Sequence, residues 1–240
     1  AVDPTSPFTG GAILGDRVRM TDLSCDPGVF IRSMGTRGGL GGLSKAVHGA
    51  VKVLDIFGMD YIFIETVGVG QSEIDIVKLA DTVVMVMVPG LGADIQAIKA
   101  GIMEIGDIFA VNKSDRDGAE RTVAEIEAML DFNRSEEYRP PVMNVIAIDN
   151  SGIAELLEHI EKHWEYQNKS GSCKQKKINR IRTEIMDIFK DTVMRTVYNL
   201  SGDNNIIDEL TQKVMDRKLD PYSAADKLMD EFTENRQHMY

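Results

Sequence analysis

Cysteine, aromatic residues and long apolar runs are all scarce in this sequence of 240 residues. The two cysteines, Cys25 and Cys173, cannot form the disulfide framework of a small secreted domain, so we predict a reducing, cytoplasmic location. No stretch reaches the roughly 18–20 uninterrupted apolar residues that a membrane helix needs, so we predict no membrane association. The sequence therefore argues against a secreted disulfide-rich domain and against a membrane protein.

Positive charge is also in short supply. The sequence has 27 Lys and Arg against 38 Asp and Glu, which gives a formal net charge of −11. This balance argues against nucleic acid or an anionic membrane as the main partner. It does not exclude a nucleotide, because a phosphate site needs only backbone amides and one or two local cations.

Short runs of consecutive apolar residues alternate with segments of helical spacing. The strand-like runs are 61–64, 82–88, 108–111 and 142–148, and the helix-like segments are 42–57, 94–103, 120–130 and 153–163. Continuous apolar runs are typical of parallel strands buried on both faces. The sequence therefore predicts an α/β fold with a doubly wound sheet over residues 1–167.

The character of the chain changes after Trp164. The small, polar segment 168–173 is expected to be a linker, and apolar residues after it recur at helical spacing with charges between them. Asp220 followed by Pro221 is typical of a helix start, with Asp as the N-cap. We predict a helical appendage over 168–240.

A possible base-reading motif follows the third apolar run. In Asn112-Lys113-Ser114-Asp115, the Asp carboxylate can accept hydrogen bonds from both N1 and N2 of guanine, a pair that adenine does not offer. The Asn amide and the Lys stem would brace the base. Four residues alone are a weak signal, but loops after buried parallel strands are where nucleotides bind. The alternative is a solvated turn.

Carboxylates suggest a magnesium site elsewhere. Glu65 follows the first apolar run, and Gly68 could let its amide approach a terminal phosphate. Gln71 lies in the same loop and is a candidate for orienting the attacking water. Asp3 and Asp16 could converge with Glu65 on the cation, although each could equally be a turn former or a helix cap.

The fourth apolar run ends in a further candidate for the base site. The small side chain of Ala147 would let its backbone amide reach the guanine carbonyl. The four histidines show no spacing typical of metal ligands, and we expect His159 and His163 to lie at the surface.

Four stretches together resemble one known family. Residues 1–20, 30–46, 65–76 and 89–115 are similar to the GTPases associated with methylmalonyl-CoA mutase, the MeaB/ArgK family, and the resemblance extends over about 1–164. It implies a P-loop NTPase-type fold with a mainly parallel sheet, and magnesium-dependent GTP binding and hydrolysis. It further implies a homodimer that acts as a chaperone for a cobalamin-dependent methylmalonyl-CoA mutase and gates its cofactor loading.

The resemblance also implies roles for individual residues. The magnesium carboxylates would be Asp3, Asp16 and Glu65, and GTP or GDP would be held at the base by Asn112, Lys113, Asp115, Ile146, Ala147 and Ile148. Residues 65–76 would form a mobile switch, which includes Gly68 and Gln71, and 88–99 would signal to the mutase.

The sequence departs from the family pattern in three places. No G-x-x-x-x-G-K-[ST] motif occurs in it, so the phosphate loop is expected before residue 1, and the domain is expected to be incomplete at its N-terminus. Ile146 stands where the family usually has Ser, which removes one hydroxyl contact. Ala93 breaks the family's Pro-Gly-x-Gly-Asp pattern.

The sequence is also compatible with two other functions. The missing motif would fit a non-catalytic dimerisation or binding fragment. A metal-insertion GTPase of the same broad class is the other alternative, although such chaperones tend to carry His or Cys clusters and none is visible here.

Overall fold

The computed structural model of the protein describes residues 2–3, 20, 23, 25–32, 34–35, 45–66, 72–90, 105–132, 138–200 and 205–237. The chain forms two compact units, residues 1–176 and 177–240. One long helix runs through the boundary between them. The division that the sequence predicts, after residue 167, stays a prediction.

The first unit is an alternation of strands and helices. Its elements are β1 (Val2–Asp3), β2 (Met34–Gly35), α1 (Lys45–Phe57), α2 (Ser72–Leu79), β3 (Val84–Met87), β4 (Ile108–Asn112), α3 (Ala119–Phe132), β5 (Val142–Val145) and α4 (Ile153–Ser170). β1 pairs in parallel with β2, and a second parallel sheet has the order β3-β4-β5. Consecutive strands in this sheet are joined through helix-length connections, as parallel pairing requires.

Strand β4 is the centre of the second sheet, and helices cover both of its faces. Phe109 and Val111 are fully buried on one face, where they pack in a cluster with Ile126 and Leu130 of α3. Ala110 points to the other face. There it belongs to a cluster that the two apolar residues Ile153 and Leu156 of α4 complete. A continuous apolar run buried on both sides is what the sequence predicts for this strand, and the doubly wound arrangement is confirmed.

The prediction of a strand at 61–64 is wrong. The segment belongs to no strand of the two described sheets. Tyr61 and Phe63 are 51% and 79% exposed, whereas Ile64 packs against Val47 and Leu79. An apolar run becomes a strand only when a neighbouring strand pairs with its backbone, and among the described residues none pairs with this one.

The second unit is helical, as predicted. α5 (Ser172–Leu200) enters it, and α6 (Asn205–Met215) packs against α7 (Pro221–Gln237). The Asp220 side chain accepts hydrogen bonds from the backbone amides of Tyr222 and Ser223, both at 3.0 Å, which confirms the predicted N-cap. Segment 168–173, expected to be a linker, is helical on both sides of Gly171. No helix in the described part of the chain is long and apolar enough to cross a membrane.

The expected surface position of His163 is also wrong, because this side chain is 3% exposed. Its Nδ1 lies 2.9 Å from the Thr82 hydroxyl, and its Nε2 lies 3.4 Å from the Asp107 carboxylate. The Tyr138 ring covers it at a centroid distance of 4.8 Å. Asp107 also accepts a hydrogen bond from the Val83 amide at 2.8 Å. This polar cluster joins α4 to the amino-terminal ends of β3 and β4.

Burial controls the protonation of this cluster. Removal from water lowers the pKa of His163 below its ordinary value, the Asp107 carboxylate raises it in part, and the Lys176 ammonium lowers it further. Burial beside Asp107 raises the pKa of Tyr138. The Gln167 amide nitrogen also lies 3.0 Å from Nε2. A neutral imidazole fits this polar surrounding, because it offers one donor and one acceptor nitrogen.

We predict that His163 makes the stability of the protein depend on pH. As pH falls below about 6.5, the ordinary pKa of histidine, the unfolded chain takes up a proton that the folded chain accepts only at lower pH. The free energy of unfolding should therefore decrease through this window. Urea unfolding from pH 8 to pH 5 should show a smaller decrease for His163→Gln than for the wild type.

His159→Gln is the matched control, because His159 is half-buried one helical turn earlier on α4. It should follow the wild-type pH dependence. The assignment would be contradicted if the free energies of unfolding of the wild type and of His163→Gln differed by the same amount at every pH from 8 to 5.

Candidate functional site

The first loop of the candidate site begins where β4 ends. Asn112 is the last residue of the strand, and Lys113 adopts a left-handed backbone conformation with a φ of 59°. This conformation is uncommon for a residue other than glycine, and it turns the chain sharply at the strand end. The Arg116 amide donates to the Lys113 carbonyl at 3.0 Å and closes the turn. Asp115 is thereby held on the exposed side of the loop.

The second loop begins where β5 ends. Ile146 forms an isolated antiparallel bridge with Ser151, with N–H···O distances of 3.0 and 3.2 Å. A single 3₁₀ turn, Ala147–Asp149, fills the interval. Gly152 closes the loop with a φ of 74°, and a Cβ there would lie 2.4 Å from the Asn144 carbonyl oxygen. The close approach of the two backbones requires glycine at this position.

Two oxygen atoms join these loops. Asn112 Oδ1 accepts from the Lys113 amide at 2.8 Å and from the Ala147 amide at 3.1 Å. The Val145 carbonyl accepts from the Ser114 amide at 3.2 Å and from the Ser114 hydroxyl at 3.1 Å. Because β4 and β5 are parallel neighbours, their carboxyl ends meet at one sheet edge. The three hydrogen bonds that cross from the first loop to Val145 and Ala147 fix the loops against each other.

The edge offers hydrogen-bonding groups and apolar surface together. Lys113, Asp115 and Ala147 are exposed, and Ile148 is 87% exposed. A carboxylate acceptor, backbone amide donors and an apolar side chain beside them suit a planar heterocycle that carries both donors and acceptors. The structure thus brings together Asn112, Lys113, Asp115, Ile146, Ala147 and Ile148 from the set named from the sequence.

One contact differs from what the sequence suggests. The Ala147 amide, expected to bind a guanine carbonyl, donates instead to Asn112 Oδ1. A base carbonyl at this position must share that hydrogen or replace the Asn112 oxygen. The exchange is plausible in energy because one neutral hydrogen bond is traded for another of similar strength.

The residues named for magnesium and hydrolysis are described only in part. Glu65 is exposed in the segment after Ile64, and for Asp3 only the backbone position in β1 is described. Asp16, Gly68 and Gln71 lie outside the described residues. Within the described ranges, no group of three His, Cys, Asp or Glu is close enough to hold a metal ion. The Glu65 carboxylate is the oxygen donor that Mg²⁺ prefers, so this residue fits such a role.

Sequence reasoning missed the contribution of Ser114. The sequence motif assigns roles to Asn112, Lys113 and Asp115 and none to Ser114. Its bonds to Val145 could be found only once the two loops were known to be neighbours, because the partners lie 31 positions apart.

Comparison with known families decides the relationship of the chain. The family described as "Methylmalonyl Co-A mutase-associated GTPase MeaB" matches residues 1–201. The chain belongs to the MeaB family. Its members are GTPases related to methylmalonyl-CoA mutase, so the family predicted from the sequence is confirmed.

Relatives of this chain include proteins of Pyrococcus abyssi and Caenorhabditis elegans. A protein of Pyrococcus abyssi named as a GTPase is 53% identical over 235 residues, which is 96% of this chain and 72% of that protein. The protein of Caenorhabditis elegans named "Methylmalonic aciduria type A homolog, mitochondrial" is 32% identical over 236 residues, or 96% of this chain and 59% of that protein.

A solved structure supports the fold. The chain matches the crystal structure of LAO/AO transport system kinase with a TM-score of 0.66, over 97% of this chain and 71% of that one. At 21% identity, this likeness shows the fold alone, and it confirms the predicted P-loop NTPase-type α/β class.

Proposed function

We propose that the joined loops after β4 and β5 form the guanine pocket of a magnesium-dependent GTPase. The Asp115 carboxylate accepts hydrogen bonds from N1 and N2 of the base, and Asn112 and Lys113 brace it. The Ala147 amide binds the base carbonyl, while Ile146 and Ile148 flank it. The observation that supports this reading is the set of three hydrogen bonds between the two loops, in a chain of a GTPase family.

We assign Mg²⁺ coordination to Asp3, Asp16 and Glu65 as part of the same proposal. Gly68 places its amide near the terminal phosphate, and Gln71 orients the attacking water. When bound, the ion neutralises phosphate charge during hydrolysis. The sequence contains no G-x-x-x-x-G-K-[ST] pattern, so the contacts that such a loop makes with phosphates are assigned to none of its 240 residues.

The partner that we propose is a cobalamin-dependent methylmalonyl-CoA mutase. In this role the protein is a chaperone that couples GTP hydrolysis to loading and protection of the mutase cofactor. The family description and the methylmalonic aciduria name of the nematode relative support this choice. Residues 65–76 and 88–99 are the segments through which we expect the nucleotide state to reach the mutase.

We also propose that the protein is a homodimer. Helix α5 has 29 residues. Ile181, Ile185 and Ile188 follow one another at spacings of four and three on this helix, and their exposed fractions are 47%, 59% and 59%. Such a stripe on one face is typical of a helix that packs against another helix. Phe189 adds to the same exposed surface at 60%.

Asp115→Asn tests the base site. Xanthine has a carbonyl where guanine has its N2 amino group, so an Asn amide can donate to xanthine but opposes guanine. We expect GDP affinity to fall by about tenfold to a hundredfold, since a hydrogen bond to a charged group is lost, and XDP affinity to rise. Asp117→Asn, the same change two residues later on the exposed turn, should leave both affinities unchanged in calorimetric titrations. An unaltered GDP preference in Asp115→Asn would defeat the guanine assignment.

Glu65→Gln tests the magnesium assignment. Loss of a charged ligand should raise the Mg²⁺ concentration for half-maximal GTP hydrolysis by about tenfold or more. The rate is measured with methylmalonyl-CoA mutase present, because we expect the mutase to stimulate it. Glu158→Gln, an exposed change on α4, serves as the control. The magnesium role is rejected if Glu65→Gln and wild type have the same Mg²⁺ dependence, and the partner is rejected if mutase leaves the wild-type rate unchanged.

Ile185→Asp tests the dimer. A charge placed in an apolar helix interface is desolvated without a partner, so we expect the variant to sediment as a monomer. Thr183→Asp adds the same charge to the same helix at an exposed position about 200° around the axis. It should sediment as the wild type does. A wild-type protein that is monomeric at micromolar concentration would refute the proposal.

A further inference from the structure

Ser114 makes contacts that the base-reading roles of its neighbours do not explain. Its backbone amide and its side-chain hydroxyl both donate to one oxygen, the Val145 carbonyl, at 3.2 and 3.1 Å. Ser114 is half-buried, whereas Lys113 and Asp115 on either side of it are exposed. The middle of the first loop is therefore turned towards β5 while its charged ends face solvent.

The acceptor of these bonds is fixed by the core. Val145 is 3% exposed and ends β5 in the cluster that Ile153 and Leu156 of α4 complete. Ala147, whose amide belongs to the proposed base site, lies only two residues further along. The Ser114 hydroxyl thus connects the loop that carries Asp115 to Val145, the residue of β5 after which the Ala147 loop begins.

Few side chains could replace this tie. Ile146 and Ala147 carry no hydrogen-bonding group in their side chains, so these two residues offer only their backbone to the first loop. Between the two loops, Asn112 Oδ1 accepts a hydrogen bond from the Ala147 amide, and the Ser114 hydroxyl donates one to the Val145 carbonyl. Asn112 must release or share its bond when a base carbonyl binds Ala147, whereas the Ser114 bond can persist.

We propose that Ser114 is a positioning residue for base discrimination, which rests on the proposed guanine site. Its hydroxyl fixes the distance between the Asp115 carboxylate and the Ala147 amide. Guanine differs from hypoxanthine only by the N2 amino group, which must reach the second hydrogen-bonding position of the Asp115 carboxylate. Without the hydroxyl, only the Ser114 amide holds the loop to Val145, and the second contact of the carboxylate is lost first. Ser114 therefore sets the preference for guanine over hypoxanthine.

Three substitutions separate the hydroxyl from the volume of the side chain. Ser114→Ala removes the hydroxyl. Ser114→Thr and Ser114→Val have nearly the same shape, but only the first keeps a hydroxyl. If Ser114→Ala fails to fold, the Thr and Val pair still decides the question, because the two differ by one hydroxyl and one methyl group.

The measurement is the affinity of each protein for GDP and for IDP by calorimetric titration. We expect Ser114→Ala and Ser114→Val to bind GDP about three- to tenfold more weakly, the cost of one neutral hydrogen bond, and to show a smaller ratio of GDP to IDP affinity. Ser114→Thr should keep the wild-type ratio. A uniform loss of affinity for both nucleotides would indicate a merely structural role and would overturn the proposal.

The proposal is also overturned if Ser114→Val keeps the wild-type ratio, or if Ser114→Thr loses as much as Ser114→Val. Asp115→Asn, measured in the same titrations, tells this failure apart from failure of the site. If Asp115→Asn abolishes the guanine preference while the Ser114 variants do not alter it, the base site stands and the Ser114 role is refuted. If Asp115→Asn has no effect, the guanine site itself is refuted, and the Ser114 proposal with it.

Discussion

Burial of strand β4 on both faces is the constraint on which the rest of the first unit depends. Phe109 and Val111 on one side and Ala110 on the other leave no solvent-facing surface on the strand, so its backbone polar groups must be paired by β3 and β5. The same pairing fixes where the strand ends. Asn112 therefore emerges beside the last residue of β5, and the loops that follow become neighbours.

The two ends of this sheet use polar groups in opposite ways. At the amino-terminal ends, His163 is buried beneath the Tyr138 ring beside the half-buried Asp107, and both contact polar groups of the protein. At the carboxyl ends, Asp115 and Lys113 are exposed, and only the groups that join the loops are half-buried or paired. One end stabilises the fold and the other is left able to bind a ligand. This is the usual division in parallel sheets, because the loops at the carboxyl ends lie outside the helix-covered core.

Exposed apolar side chains mark two further surfaces, each within one unit. Tyr61 and Phe63 stack with ring centroids 6.2 Å apart, and the Tyr61 hydroxyl donates to Glu161 of α4 at 2.8 Å. The isoleucine stripe of α5 is the other, and its helical spacing suits a helical partner. Scattered exposed apolar residues need no special cause, but a stripe along one helix face does.

The sequence by itself determined the fold class and the family, and it named the residues that we propose for the base site. Continuous apolar runs at β3, β4 and β5 were enough to predict buried parallel strands, and the short Asp220-Pro221 pattern was enough to locate the start of α7, because these signals are local. The run at 61–64 was predicted as a strand from the same signal and forms none among the described residues, since pairing depends on a neighbour that local sequence does not specify. Only the tertiary structure decided that His163 is buried beside Asp107, which lies 56 positions away in sequence (163 − 107). Only the tertiary structure showed that Ser114 donates hydrogen bonds to the Val145 carbonyl and that the Ala147 amide donates to Asn112 Oδ1. Those contacts join residues distant in the chain, and they exist because parallel strands bring their carboxyl ends to one edge.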